Sequence, residues 1–214
     1  MSDKSRIVAV VPMKPLAESK TRLTGYLSPT QRASLSQSMF SWVLGTLAQS
    51  RVSRIVVVGG DDVVKSATLR EGAEWVQDKF LDLNKAIEYV FGIVWRERRS
   101  AAYVPADLPL LASSDVNGAI EASADGRFLT LCRAHDGGTN CLILPPHTGF
   151  RLRLGPDSFR RHIELADELH LDWRRHHSEG FQHDVDTISD LRYCMEKQPP
   201  CLKDFTDVIK NVNL

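Results

Sequence analysis

Three cations, Lys14, Lys20 and Arg22, crowd into the segment PMKPLAESKTRL at 12–23. Polyphosphate carries dense negative charge, and holding it takes several positive donors in a short loop. Neither G-x-x-x-x-G-K-[ST] nor G-x-G-x-x-G is present, so the loop is neither a P-loop nor a dinucleotide fingerprint; a solvated basic loop is the competing reading. Asp107, in PADLPLL, follows an apolar run, where a carboxylate could help hold magnesium, an ion that takes few protein oxygens and completes its shell with water and phosphate. A turn role suits Asp107 equally well. In HDVDTISDL (183–191), Asp184 and Asp186 are expected to face opposite sides of an extended segment, one toward the site and the other anchoring a loop, with capping of the next helix as the alternative for Asp186. In HDGGTN (135–140), Gly137 and Gly138 permit close backbone approach. Gly155-Pro156-Asp157-Ser158 opens a helix whose N–H groups could receive an anion, and Thr139 and Ser158 add hydroxyls. Each piece alone also reads as ordinary turn chemistry. Together they supply cations for a polyphosphate, carboxylates for a metal and a second anion pocket, which is what nucleotidyl transfer to an anionic acceptor requires.

Other reactive residues form no such set. There is no convincing Ser-His-Asp or Cys-His arrangement. His176-His177 beside Arg174-Arg175 reads as a solvated face, and His162 reads first as a surface helix residue, with a lean toward the acceptor pocket as the alternative. Cys132, Cys141, Cys194 and Cys201 include no C-x-x-C pair and are expected to be reduced, partly buried thiols.

The elements that must position these residues alternate. β-Branched or apolar runs at 6–12, 54–58 and 101–105 read as buried strands, with further strands at 127–133, 140–145 and 171–176. Helices are expected at 29–49, 62–70, 83–97, 113–122, 157–169 and 188–197. The first is opened by a Ser28–Gln31 capping box with Pro29 in its first turn, and the last by a Thr187–Asp190 capping box. This order predicts one α/β domain over 1–197, an α/β/α sandwich around a mostly parallel sheet, and a tail over 198–214 with one short helix expected in KDFTDVIKNV. In such sheets ligands bind outside the carboxyl ends of the strands, where the loops named above converge.

Across 214 residues, 27 Lys+Arg balance 27 Asp+Glu, which argues against a general nucleic-acid binder. The N-terminal apolar run is far too short for a signal-peptide core or a membrane span, so a cytoplasmic protein is expected.

The segments VVPMKPLAESKTRL, PADLPLL, HDGGTNCLILPP, GPDSFRRH and DVDTISDL, in this order, resemble the CofC/FbiD guanylyltransferases of coenzyme F(420) biosynthesis over roughly 6–192. The resemblance implies a Rossmann-like nucleotidyltransferase fold of the GT-A type, like that of the molybdenum-cofactor guanylyltransferases, with P-M-K-P-L in place of their glycine-rich first loop. It implies transfer of GMP from GTP to phosphoenolpyruvate or 2-phospho-L-lactate, with 3-phospho-D-glycerate as an alternative acceptor, and release of pyrophosphate. It places nucleotide contacts on Pro12, Lys14, Lys20, Arg22 and Asn84, acceptor contacts on Thr139, Gly155 and Ser158, and one or two Mg2+ ions on Asp107 and Asp186. Where family members often carry Gly-Leu-Asn, this chain has Asp82-Leu83-Asn84. No nucleic-acid or membrane partner is implied; a homodimer is left open, and the product passes to the next enzyme of the pathway. Two readings compete: a nucleotidyltransferase of the same fold acting on a sugar phosphate or a pterin, and a catalytically silent nucleotide-binding module.

Overall fold

The apolar run after Arg6 alternates its side chains between two layers of helices. Ile7, Ala9 and Val11 pack in one buried cluster, Val8 and Val10 in another, as the two-residue period of a strand covered on both faces requires. The computed structural model describes residues 4–206. Among them, seven strands, β1 (Ile7–Met13), β2 (Arg54–Gly59), β3 (Glu74–Val76), β4 (Ser100–Tyr103), β5 (Leu129–Arg133), β6 (Thr139–Leu144) and β7 (Trp173–His176), form one sheet in the order β3-β2-β1-β4-β6-β5-β7. The helices are α1 (Pro29–Gln49), α2 (Asp62–Arg70), α3 (Leu83–Arg96), α4 (Ser113–Ala122), α5 (Ser158–Glu168), the short α6 (Glu179–Gln182) and α7 (Ile188–Glu196). One face of the sheet packs under α1, α2 and α4, and the other under α3 and α5.

Only β6 runs against its neighbours, antiparallel to both β4 and β5, while the remaining pairs are parallel. This reversal positions the site. Tyr103 near the end of β4 lies opposite Leu142, so the start of β6, Thr139 and Asn140, arrives at the same end of the sheet as the loop that follows β4. A strand parallel to β4 would have brought its other end there.

The anticipated capping boxes form: Ser28 Oγ accepts from Gln31 N while Gln31 Oε1 accepts from Ser28 N, and Thr187 and Asp190 do the same at α7. β3 and α6 were not anticipated; at three and four residues they carry too little periodicity to stand out. The basic segment contains two 3-10 turns, Leu16–Glu18 and Thr21–Leu23. Of the expected helix in KDFTDVIKNV, the first residues belong to a 3-10 turn over Pro200–Phe205, and positions 207–212 lie outside the described residues. All four cysteines are free thiols.

A third apolar cluster sits under the functional loops. Leu23 and Leu27 from the basic segment, Leu35 and Met39 of α1, Val185, and Leu191 and Cys194 of α7 bury together. It fastens the basic loop and the 183–187 segment to the same base.

Candidate active site

Asp107 follows β4 and is held by the strap 183–187, whose Val185 N–H donates to the Asp107 carbonyl at 3.1 Å. Val185 is fully buried. Its side chain points into the third cluster, so the residues on either side of it point the other way. One carboxylate oxygen each from Asp107, Asp184 and Asp186 consequently lie within 4.8 Å of one another. This corrects the expectation that Asp184 and Asp186 face opposite sides: residues i and i+2 of an extended chain share a face, and the residue between them takes the other. Asp184 does also anchor, because its Oδ1 accepts from Asn140 Nδ2 at 2.9 Å. Burial, and then the charge of Asp107, raise its carboxyl to about 6.

Lys20 enters this cluster from the basic loop. Its backbone is left-handed, at φ 53°, and only 7% of its side chain is exposed. The ammonium pairs closely with Asp107 Oδ2 and lies 3.4 Å from Asp186 Oδ1. Burial works against its charge, but Asp107 and Asp186 outweigh it and raise the Lys20 pKa above the ordinary lysine value. Arg22 holds Asp186 Oδ2 from the solvent side at 2.8 Å. Lys14 is exposed and has no ion pair among the described residues. Asp61, which sequence reasoning passed over, fixes the loop: its Oδ2 accepts from Leu16 N at 2.8 Å while Oδ1 caps α2 through Val63 and Val64. The signal was available, since a carboxylate directly before a helix is a recognised cap. Gly59, at φ +88°, is obligatory beside it, because a Cβ there would stand 2.5 Å from the Met13 carbonyl.

Beyond the carboxylates opens a cleft of about 1330 Å³, lined by Pro12, Lys14, Lys20, Arg22, Asp107 and Asp186 together with the Gly59–Asp62 and Gln77–Leu83 segments. Asn84, expected at the nucleotide, is not among the lining residues. Its Oδ1 accepts from Leu154 N at 2.8 Å, and one turn on, Glu88 Oε1 accepts from Leu152 N at 2.7 Å. This face of α3 therefore pins the 152–154 segment. Asp82, in place of the family's glycine, caps α3 through Lys85 N.

On the opposite flank of the cluster, next to Asn140, Thr139 and Ser158 meet at 3.2 Å, and Thr139 Oγ1 lies 3.0 Å from His162 Nδ1. Arg153 N donates to His162 Nε2 at 2.9 Å, so the ring proton resides on Nδ1 and points at Thr139. All three side chains are buried, which corrects the surface reading of His162. Ser158 and His162 are four residues apart and so share the inward face of α5. Nor does the start of α5 offer the row of free N–H groups that was expected: Ser158 N and Phe159 N donate to the carbonyls of Gly155 and Gly137.

Burial, reinforced by Arg161 and Arg153, lowers the His162 pKa from 6.5 to about 4. Because the folded state holds the ring neutral, this contribution to stability is complete above pH 6.5 and is lost as pH falls from there toward about 4, on the order of 3 kcal/mol in all. Denaturant unfolding at about pH 7 and about pH 4.5 should show a smaller acid loss in His162→Gln than in the parent protein. Equal losses would remove His162 from the explanation.

A basic loop, three converging carboxylates and a buried pair of hydroxyls at the carboxyl end of a mostly parallel sheet define a nucleotidyltransferase-type site. Solved structures agree on the fold. A candidate nucleotide-diphospho-sugar transferase of Desulfovibrio desulfuricans G20 superposes with a TM-score of 0.78 at 18% identity, covering 98% of this chain and 99% of that one. Rv0371c of Mycobacterium tuberculosis H37Rv, in complex with manganese, gives 0.55 at 18% identity, covering 89% and 98%. The chain belongs to the family of CofC-like guanylyl transferases, whose model matches residues 7–197. A phosphoenolpyruvate guanylyltransferase of Roseiflexus sp. (strain RS-1) is 36% identical over 193 residues, covering 90% of this chain and 86% of the relative. A 2-phospho-L-lactate guanylyltransferase of Methanothermobacter thermautotrophicus is 33% identical over 184 residues, covering 86% and 81%.

Proposed function

We propose that the protein transfers GMP from GTP to phosphoenolpyruvate or 2-phospho-L-lactate, as a step of coenzyme F(420) biosynthesis. The observation that carries this reading is the cluster of Asp107, Asp184 and Asp186 at the edge of a large cleft, with the buried hydroxyl pair of Thr139 and Ser158 beyond Asn140.

The donor set fits a hard divalent cation, magnesium or manganese: all three ligands would be carboxylate oxygens, close enough to share one ion. Such an ion supplies charge neutralisation where two anionic substrates meet. The chain's own residues do the rest. Lys14, Lys20 and Arg22 all line the cleft and would neutralise the triphosphate and the departing pyrophosphate. Thr139, Gly155 and Ser158 align the acceptor. An oxygen of the acceptor phosphate forms the bond to the α-phosphorus as the α–β bridging bond breaks, the electron pair leaving with pyrophosphate. The acceptor phosphate loses its second proton near ~6, so no general base is needed at neutral pH. Catalysis is then positioning plus electrostatics.

The test is incubation with GTP, Mg2+ and each of phosphoenolpyruvate, 2-phospho-L-lactate and 3-phospho-D-glycerate, coupled to the next enzyme of the pathway, with pyrophosphate and product mass as readouts. A guanylylated three-carbon acid is expected. GTP binding without pyrophosphate release on any of the acids would overturn the reading.

A further inference from the structure

Arg161 is a half-buried charge with no hydrogen-bond or ion-pair partner among the described residues. Its Nε and Nη2 are both closed off from solvent, and neither meets an acceptor. Neighbouring carboxylates are engaged elsewhere: Asp157 and Glu164 both pair with Arg160, and Glu168 lies beside Arg153. A desolvated guanidinium without an acceptor is costly, and an anion is the group that would relieve the cost.

Helix geometry says where this charge ends. Arg161 stands three residues after Ser158 on α5, so the two share a face, and helical side chains lean back toward the helix N-terminus. Nη2 accordingly lies 3.6 Å from the place a Cβ on Gly155 would occupy, and Gly155 has the positive φ of +121° that leaves this spot open. Beside it, Thr139 and Ser158 are buried residues, 4% and 1% exposed. Between them they carry two protons. Only one is used in their mutual hydrogen bond, since His162 donates to Thr139 rather than accepting from it. One buried O–H therefore also lacks an acceptor among the described residues.

Nε–H and the adjacent Nη2–H are the parallel donors of the side-on guanidinium fork, the arrangement that matches both oxygens of a carboxylate. We propose that Arg161 is the specificity-determining residue that reads the acceptor's carboxylate, with the Thr139–Ser158 pair donating its remaining proton to the same small anion. The inference rests on the proposed function and deepens it. It explains how a phosphorylated acid is told from a phosphorylated alcohol: the acid fills the fork, and the alcohol leaves it unpaired.

The experiment compares steady-state transfer of GMP to whichever acid the parent protein accepts with transfer to ethyl phosphate, which has the phosphate but no carboxylate. Arg161→Gln is expected to raise KM for the acid by about 30-fold, to keep GTP affinity within about twofold, and to lose most of the preference for acid over ethyl phosphate. Arg161→Lys, which keeps the charge but not the fork, is expected to fall between the two, and it decides the matter if the Gln variant fails to fold. An unchanged KM and preference in both variants would overturn the inference while leaving the proposed function standing. If the parent protein transfers GMP to no acid, the proposed function fails, and this inference with it.

Discussion

Replacing Asp107 with Asn is expected to lower turnover by at least about a hundredfold, on the order of 3 kcal/mol in the barrier. The substitution keeps size and shape and removes the charge. The backbone bond from Val185 N to the Asp107 carbonyl does not involve the side chain, so the strap carrying Asp184 and Asp186 stays seated, and the loss can be read as chemistry rather than unfolding. Two consequences follow from the geometry. Lys20 loses the charge of its closest partner and keeps those of Asp186, at 3.4 Å, and Asp184. The cluster also drops from three ionisable oxygen donors to two, which weakens its hold on a hard cation whose affinity follows ligand charge. Turnover at saturating Mg2+, with Mn2+ binding followed by electron paramagnetic resonance, checks both. Near-normal turnover at saturating Mg2+ would remove Asp107 from the metal site.

Much of this site was legible because single residues announced it. A carboxylate between a buried strand and Pro109 marked Asp107, and the run of cations marked the first loop. What could not be read was which groups meet. Lys20 and Asp186 are separated by 166 positions, and their two segments are fastened together by Leu23, Leu27 and Val185 meeting in one cluster. Net neutrality likewise hid a paired interior, in which a buried lysine is balanced by carboxylates from two other loops. Two misreadings were avoidable. Asp184 belongs with Asp186 by the two-residue period of an extended chain. His162 lies with Ser158, Leu165 and Ala166 on one buried face of α5, a helical spacing that the flanking arginines at 160 and 161 obscured. For Asn84 the sequence could not show its partner: its amide oxygen accepts from Leu154 N, four residues before Glu88 accepts from Leu152 N, so both hold the 152–154 segment.

Lys20→Met carries the second large expected effect, and it moves two quantities in opposite directions. The methionine keeps much of the buried stem and removes the ammonium, which bridges Asp107 and Asp186. Without it the carboxylates repel one another, and the metal-free protein should lose about 2 kcal/mol of stability; this is less than the ~3–5 kcal/mol of a fully buried pair, because the Asp186 side chain is 44% exposed. A divalent cation competes with Lys20 for the same oxygens, so the variant should bind Mn2+ more tightly than the parent in the absence of nucleotide, and Mn2+ should recover more of its thermal stability. Turnover should nevertheless fall by about a hundredfold or more, since the triphosphate then loses a positive donor at the point where it meets the cluster. The two results together separate a lysine that exchanges carboxylates for phosphates from one that merely braces the fold. A purely bracing lysine would give lower stability with no gain in Mn2+ affinity, and that outcome would refute the exchange.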